Sequence, residues 1–270
     1  MEIVKLNGPL AARVTDIDWD AGLRDDDVAA IGDALLEHSV LAIAAAGMRP
    51  EQHVELAASF GELEHHEFFD NQGPGLEHIT VLDSARGDRS NMWHIDEQFL
   101  EKPPIITMTR AIELPPWGGD TAFISLHAAY ESLSPRMRNY LDDLDAVHDL
   151  ARIAEMSWQN GRGSADDLAD QLRTGKQATH PVVRPHPVTG RPALYVSPTY
   201  TRFIVGLPMA ESKAILDYLF LHQQRPEHGY RHHWSPGDLL VWDNRSVMHH
   251  AIDDYADRRL MHRISVIGPG

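Results

Sequence analysis

Two short stretches hold the side chains best suited to chemistry, Asn91-Met-Trp-His94-Ile-Asp96 and Trp242-Asp-Asn-Arg-Ser-Val-Met-His249-His250. On a strand, positions i and i+2 point to the same face, so His94 and Asp96 could grip one cation together. His249 and His250 would face opposite ways, so only one could join them. Two imidazoles and a carboxylate form the facial set of non-haem Fe(II) oxygenases, with positions left open for co-substrate and O2. The chain has no cysteine, so thiolate zinc, iron–sulfur and Cys-nucleophile chemistry are excluded. Any metal site must use His, Asp and Glu, donors that suit iron, manganese or zinc.

The His-x-acid spacing says little by itself. With 17 His and 40 acidic residues among 270, random placement gives two or three such triplets, and the chain has three. His53-x-Glu55 falls in a predicted helix, where i and i+2 diverge, and His65-x-Glu67 is the third. His94-x-Asp96 lies between Trp93 and Phe99 after a polar loop, as a pocket rim would.

The elements that must position these residues follow from periodicity and from Pro and Gly punctuation. Asp25–His38 carries Val28, Ile31, Leu35 and Leu36 at helical spacing. Pro50–Phe60, with Pro first and Gly61 as a stop, predicts a second helix. Ser39–Ala44 reads as a short buried strand between them. Strands are predicted at Ile79–Asp83, Ile105–Glu113 and Thr121–Ser125, then a helix opened by Ser134-Pro135 and running to about Val147. Residues 151–179 turn polar and Gly-containing, which reads as an active-site lid. Strands at Val182–Arg184, Ala193–Ser197, Phe203–Val205, Asp238–Trp242 and Leu260–Ile267 follow, with an amphipathic helix over Ala210–Gln223. Many short strands with a few helices predict a mainly β barrel or sandwich in one domain over residues 1–270. There is no Gly-rich nucleotide loop.

Composition narrows the partners. Lys and Arg number 24 against 40 acidic residues, a net charge of −16. That balance argues against nucleic acid and anionic membranes, yet leaves room for a small anion held by a few local cations. The longest apolar run, Val40–Ala46, is too short to span a bilayer. The opening residues lack the basic-then-apolar pattern of a signal peptide, so a cytoplasmic protein is expected.

A set of landmarks then carries a resemblance. They are Phe60-Gly-Glu-Leu63, Trp93-His-Ile-Asp96, Pro115-Pro-Trp-Gly-Gly-Asp-Thr121, Ile204-Val-Gly-Leu207, Trp242-Asp-Asn-Arg245 and Arg258-Arg-Leu-Met-His-Arg263. In this order, over nearly the whole chain, they resemble the Fe(II)/2-oxoglutarate-dependent dioxygenases of the taurine dioxygenase type. That group also includes 2,4-dichlorophenoxyacetate dioxygenases and alkylsulfatases. The resemblance implies a double-stranded β-helix (jelly-roll, cupin-like) core with peripheral helices and a lid insertion at 151–179. It implies His94, Asp96 and His249 as iron ligands, the last falling seven residues after Trp242, and leaves His250 outside the set. It implies O2 and 2-oxoglutarate as co-substrates, with the far carboxylate of 2-oxoglutarate on Thr121 and Arg259. An Arg fork suits a carboxylate, and a hydroxyl adds a hydrogen bond. On a strand Arg259 and Arg263 share a face. The competing reading of this basic segment is that Arg258, Arg259 and Arg263 only neutralise Asp253, Asp254 and Asp257.

The implied reaction converts 2-oxoglutarate and O2 into succinate and CO2 while an aliphatic C–H of the substrate is hydroxylated. By the same resemblance, His66 and Arg263 take an anionic head group such as a sulfonate. The far end of the pocket departs from the taurine pattern. Gly87-Asp-Arg-Ser-Asn91 puts Arg89 or Ser90 where taurine enzymes carry amine-binding residues. Phe68-Phe69 and Leu150 also differ from that pattern. A larger or more apolar anion, such as an alkyl sulfate, alkylsulfonate or aryloxyalkanoate, is at least as well suited as taurine. A dimer or tetramer is expected from the family. Two rival readings stand beside this one: a non-catalytic jelly-roll sensor of metal or 2-oxoglutarate, and a metal-dependent isomerase or hydrolase on the same barrel.

Overall fold

The computed structural model describes residues 1–268 except 7, 66–69, 88–90, 160–163, 165, 167–168, 171–172 and 174. The strands are β1 (Glu2–Lys5), β2 (Ala12–Thr15), β3 (Val40–Ala44), β4 (Glu62–Leu63), β5 (Thr80–Asp83), β6 (Ile106–Glu113), β7 (Thr121–Ser125) and β8 (Asp145–Asp149). They continue with β9 (Gln177–Pro181), β10 (Val183–Pro185), β11 (Pro192–Leu194), β12 (Thr201–Ile204), β13 (Gly229–His232), β14 (Asp238–Asp243), β15 (Val247–Ala251) and β16 (Leu260–Ile267). The helices are α1 (Asp25–His38), α2 (Pro50–Ala58), α3 (Leu126–Glu131), α4 (Pro135–Leu141), α5 (Ala151–Gln159) and α6 (Met209–Gln223).

Among the described residues a large sheet runs β1-β2-β3-β14-β6-β16-β4, with β5 also on β16. A smaller sheet, β13-β7-β15, faces it as the second wall of the jelly roll. β14 shows why the layers stack this way. Every residue of Asp238–Asp243 is buried, because the strand is covered on both faces. Leu239 and Val241 pack outward with Ile106, Met108, Ile264 and Val266 under Ile31 and Leu35 of α1 and Leu56 of α2. Leu240 and Trp242 pack inward with Phe123, Val247 and Met261. The inner layer is where polar residues of β6, β7, β15 and β16 converge. A further core, with Leu133, Leu141, Val182, Leu194, Leu216 and Leu219, joins α3, α4 and α6 to the β10–β11 hairpin.

Most predicted elements stand within a residue or two. The helix expected from Ser134 to Val147 ends at Leu141, and β8 takes its second half. Ala146 and His148 are buried while Asp145 is exposed, a period-2 pattern that pairs β8 with β9 and β12. The strand expected at Ala193–Ser197 is only Pro192–Leu194. Of the expected lid, 151–159 is helical and 177–179 belongs to β9, while most of 160–174 lies outside the described residues. No helix among the described residues is long and apolar enough to cross a membrane.

Between α2 and the outer face of the large sheet, His53 is fully buried with Arg110 and His262 nearby, the last two facing each other across β6 and β16. Burial first, then the charges of Arg110 and His262, pull His53 down to about 3 from its ordinary 6.5. Because the folded value is depressed, the unfolded chain takes up this proton first. The stabilisation is complete above about pH 6.5 and is lost as pH falls towards 3. Urea unfolding should therefore show stability falling between pH 7 and pH 5. His53→Gln should remove up to about 2 kcal/mol of that fall.

Candidate metal centre

The segment after Trp93 and strand β15 bring three side chains able to ligate a metal to one point. One ligand atom each from His94, Asp96 and His249 lies within 4.8 Å of the others, the only such group of His, Asp and Glu among the described residues. Asp96 Oδ1 is 3.5 Å from His94 Nε2 and 3.6 Å from His249 Nε2. His94 does not lie on a regular strand, contrary to the same-strand expectation. It forms an isolated bridge to His249, each backbone N–H donating to the other's carbonyl at 3.0 and 2.9 Å. The chain then turns at Asp96–Phe99, and Glu97 takes a left-handed φ of 48°, a costly conformation for a residue with a Cβ. His249 is on β15 opposite Phe123 of β7, and His250 turns away to pack its ring, tilted by 53°, against Trp93.

Contacts behind the ligands fix which atoms face the centre. The Thr107 hydroxyl donates to Asp96 Oδ2 at 2.7 Å, leaving Oδ1 towards the imidazoles. His94 Nδ1 donates to the Met92 carbonyl at 2.8 Å, which leaves Nε2 free as a lone pair. Asn244 clamps the Asp96 backbone, its Oδ1 accepting from Asp96 N and its Nδ2 donating to Asp96 O. His249 is held by rings, Trp242 at 4.8 Å and Phe123 at 6.0 Å, and its buried Nδ1 has no hydrogen-bond partner among the described residues. Burial would push Asp96 up, but His249, Arg263 and His94 together hold it far below the carboxylate range. Burial, reinforced by His94, pulls His249 down to about 3, so the imidazole is neutral. A permanent carboxylate beside two imidazoles, with no thiol in reach, is a donor set that fits a divalent metal such as Fe(II).

The other expected residues divide into three groups. Thr121 is buried on the same face of β7 as Phe123, and its Oγ1 accepts from Trp234 Nε1 at 3.1 Å. Arg259 lies over the Trp234 ring at 5.6 Å and donates through Nε to the Gly119 carbonyl. Trp234 thus ties Thr121 to Arg259, a link no sequence signal offered. Burial pulls Arg259 below its usual value, and no carboxylate lies within 4 Å of it among the described residues. Arg258 differs: it bonds Asp83 and Glu113. Asp254 takes Arg231 and the Gly119 N–H, so simple local neutralisation of the basic segment does not describe Arg259. Arg263 reaches the centre, with Nη1 3.7 Å from Asp96 Oδ1. His66, Phe68, Phe69, Arg89 and Ser90 lie outside the described residues.

Two features near Arg263 escaped the sequence reading. Burial and a carboxyl contact with Glu97 push Glu64 up to about 8, opposed by Arg263. Tyr200 packs its ring on Phe99 and near His94, and burial pushes its hydroxyl above the ordinary tyrosine range. The wall around Arg263 is therefore mixed, one cation among carboxyls and aromatics.

Comparison with known proteins agrees with this geometry. Residues 2–265 match the family described as taurine catabolism dioxygenase TauD, TfdA family. The chain is 32% identical to an alkylsulfatase of Acinetobacter baylyi, covering 99% of this chain and 85% of that protein. It is 30% identical to an alpha-ketoglutarate-dependent sulfate ester dioxygenase of Pseudomonas putida, over 99% of this chain and 90% of the other. A solved taurine dioxygenase from Burkholderia xenovorans superposes with a TM-score of 0.83 at 30% identity, covering 99% of this chain and 89% of that one.

If Thr107 aims Asp96, Thr107→Val frees Oδ2 and lets the carboxylate rotate. Calorimetric titration with Fe(II) under nitrogen should show affinity weakened roughly 10- to 100-fold, with the thermal midpoint little changed.

Proposed function

The chain belongs to the taurine catabolism dioxygenase TauD, TfdA family, and on that premise we propose that it hydroxylates an aliphatic C–H of a small organic anion. O2 and 2-oxoglutarate are co-substrates, Fe(II) is held by His94, Asp96 and His249, and succinate and CO2 are released. The observation that carries this reading is the charge arrangement of the cavity. A metal-binding set with one carboxylate lies between the sheets, while Arg259 is a half-buried cation with no carboxylate within 4 Å among the described residues. A guanidinium partly withdrawn from water without an ion-pair partner gains from an anion that joins it. The dianion 2-oxoglutarate supplies a carboxylate for each end.

Bound Fe(II) supplies the chemistry that couples O2 to 2-oxoglutarate breakdown and C–H oxidation. The chain's own residues do the rest. Arg259 receives the far carboxylate through its fork, Thr121 adds a hydroxyl, and Trp234 holds both in place. Arg263, with His66, receives the substrate's anionic group, and Phe99 and Tyr200 shield the side near His94 from water. Burial and Glu97 push Glu64 towards its protonated form, which lessens the negative charge beside Arg263. The names of the relatives span alkyl sulfates, sulfonates and aryloxyalkanoates, and all three are small organic anions. We extend the reading to a dimer or tetramer, which light scattering would detect.

Fe(II) and 2-oxoglutarate added without oxygen should give a weak visible charge-transfer band. In air, an alkyl sulfate or alkylsulfonate should accelerate succinate release. Asp96→Ala should abolish both signals in folded protein. Arg259→Gln should raise KM for 2-oxoglutarate roughly 30- to 150-fold, as expected from losing about 2–3 kcal/mol of charge-assisted bonding. No band and no succinate from well-folded protein would refute the reading.

A further inference from the structure

The turn that leads from β14 into β15 is built around a buried carboxylate outside the ligand set. Asp243 has a side chain only 1% exposed. Arg245 grips it with Nε on Oδ1 at 2.8 Å and Nη2 on Oδ2 at 2.6 Å, and the Arg245 backbone N–H adds a bond to Oδ1. The remaining partner comes from a different part of the fold. His186, in the turn between β10 and β11, donates from Nε2 to Asp243 Oδ2 at 2.9 Å and is itself 2% exposed. Its Nδ1 accepts from the backbone N–H of Val188 and of Thr189, both at 3.2 Å. Those two donors leave the proton on Nε2, so the ring is locked in one tautomer and one orientation.

What Asp243 holds is the residue next to it. Asn244 follows directly and grips Asp96 through both backbone groups, while a second bond from its Nδ2 reaches the Pro104 carbonyl at 2.9 Å. Two residues on, Ser246 N–H and Oγ both donate to the Asp243 carbonyl, closing the turn. His249 lies three residues beyond Ser246 on the strand that the turn launches. One short segment thus sets the height of Asp96 and the start of the strand carrying His249. The segment cannot shift unless the His186–Asp243 contact gives way.

We propose that His186 is a positioning residue for the metal centre, holding the 243–246 turn so that Asn244 fixes Asp96 and β15 presents His249. The proposal rests on reading His94, Asp96 and His249 as the ligand set. It goes beyond that reading, because His186 touches none of the three ligands; its hairpin packs with α3, α4 and α6 through Val183 and Leu194, and with Ile95 and Met248 through Ala193. A role of this kind predicts a loss in metal binding that a purely structural histidine would not produce.

The test is an anaerobic titration of the metal-free protein with Co(II), read by its visible bands and by calorimetry, with circular dichroism as the check on folding. His186→Phe, which keeps bulk and removes both nitrogens, should weaken Co(II) binding roughly 10- to 100-fold and alter the band pattern. His186→Gln retains a donor for Asp243 and should recover part of that loss; it also carries the test if the Phe variant does not fold. Either variant folded, with Co(II) affinity within about twofold of wild type and an unchanged band pattern, overturns the proposal. A lowered thermal midpoint with unchanged affinity overturns it equally. An Asp96→Asn control separates the two readings: if wild type binds no Co(II), or this control binds as tightly as wild type, the ligand set itself is wrong and the role of His186 falls with it.

Discussion

The interior of this protein depends on keeping one carboxylate charged where water does not reach. Asp96 is 3% exposed, and moving a bare carboxylate into such a place costs several kcal/mol even after relaxation. The structure offsets that cost by specific contacts. Thr107 donates to one oxygen, Arg263 and two imidazoles surround the other, and Asn244 holds the backbone on both sides. Each partner comes from a different element: β6, β16, the segment after Trp93, β15 and the turn after β14. The jelly roll is the arrangement that delivers all of them to one point, since its two sheets face each other with polar residues alternating inward.

The layering explains why so polar a centre is compatible with a stable fold. Along β16, Ile264 and Val266 pack outward under the helices while Arg263 turns inward to Asp96. Along β6, Ile106 and Met108 pack outward while Thr107 turns inward. The period-2 geometry of a strand lets one segment serve a dry core and a charged cavity at once. The outer core supplies hydrophobic stabilisation that does not depend on what happens at the centre.

The sequence reading succeeded where signals were local and missed where they were not. The 3.6-residue spacing of Ile31 and Leu35 places α1 correctly to the residue. Beyond Leu141 the sequence offers Asp-Asp-Leu-Asp, compatible with a continued helix, and only pairing with β9 and β12 selects a strand. The pairing of His94 with Asp96 came from a same-strand argument, yet the two meet through a bridge to His249 and a turn that forces Glu97 into a left-handed conformation. The side chains that hold the site, Thr107 and Asn244 on Asp96 and Trp234 on Thr121, act across 11, 148 and 113 positions of chain. Nothing in their immediate neighbours distinguishes them from ordinary strand and turn residues. Only the landmark motifs put Asn244 on the page at all, and without a role.

The net charge of −16 acquires a location from this arrangement. Acidic residues such as Asp253 and Asp257 sit on the outside, whereas Arg259 and Arg263 are half-buried, the first over the Trp234 ring and the second beside Asp96. A half-buried Arg259 with no carboxylate within 4 Å among the described residues is incompletely answered by the protein alone. Asp243 next door to the centre shows the opposite solution, a buried charge fully answered from within the chain by Arg245 and His186. The contrast separates the two kinds of charge. At Asp243 the fold closes the network itself, whereas at Arg259 it leaves a cation without an ion-pair partner among the described residues. A ligand that satisfies Arg259 stabilises the folded state in proportion to the logarithm of its excess over Kd. On the proposed function, stability and co-substrate binding are thereby coupled through a single guanidinium.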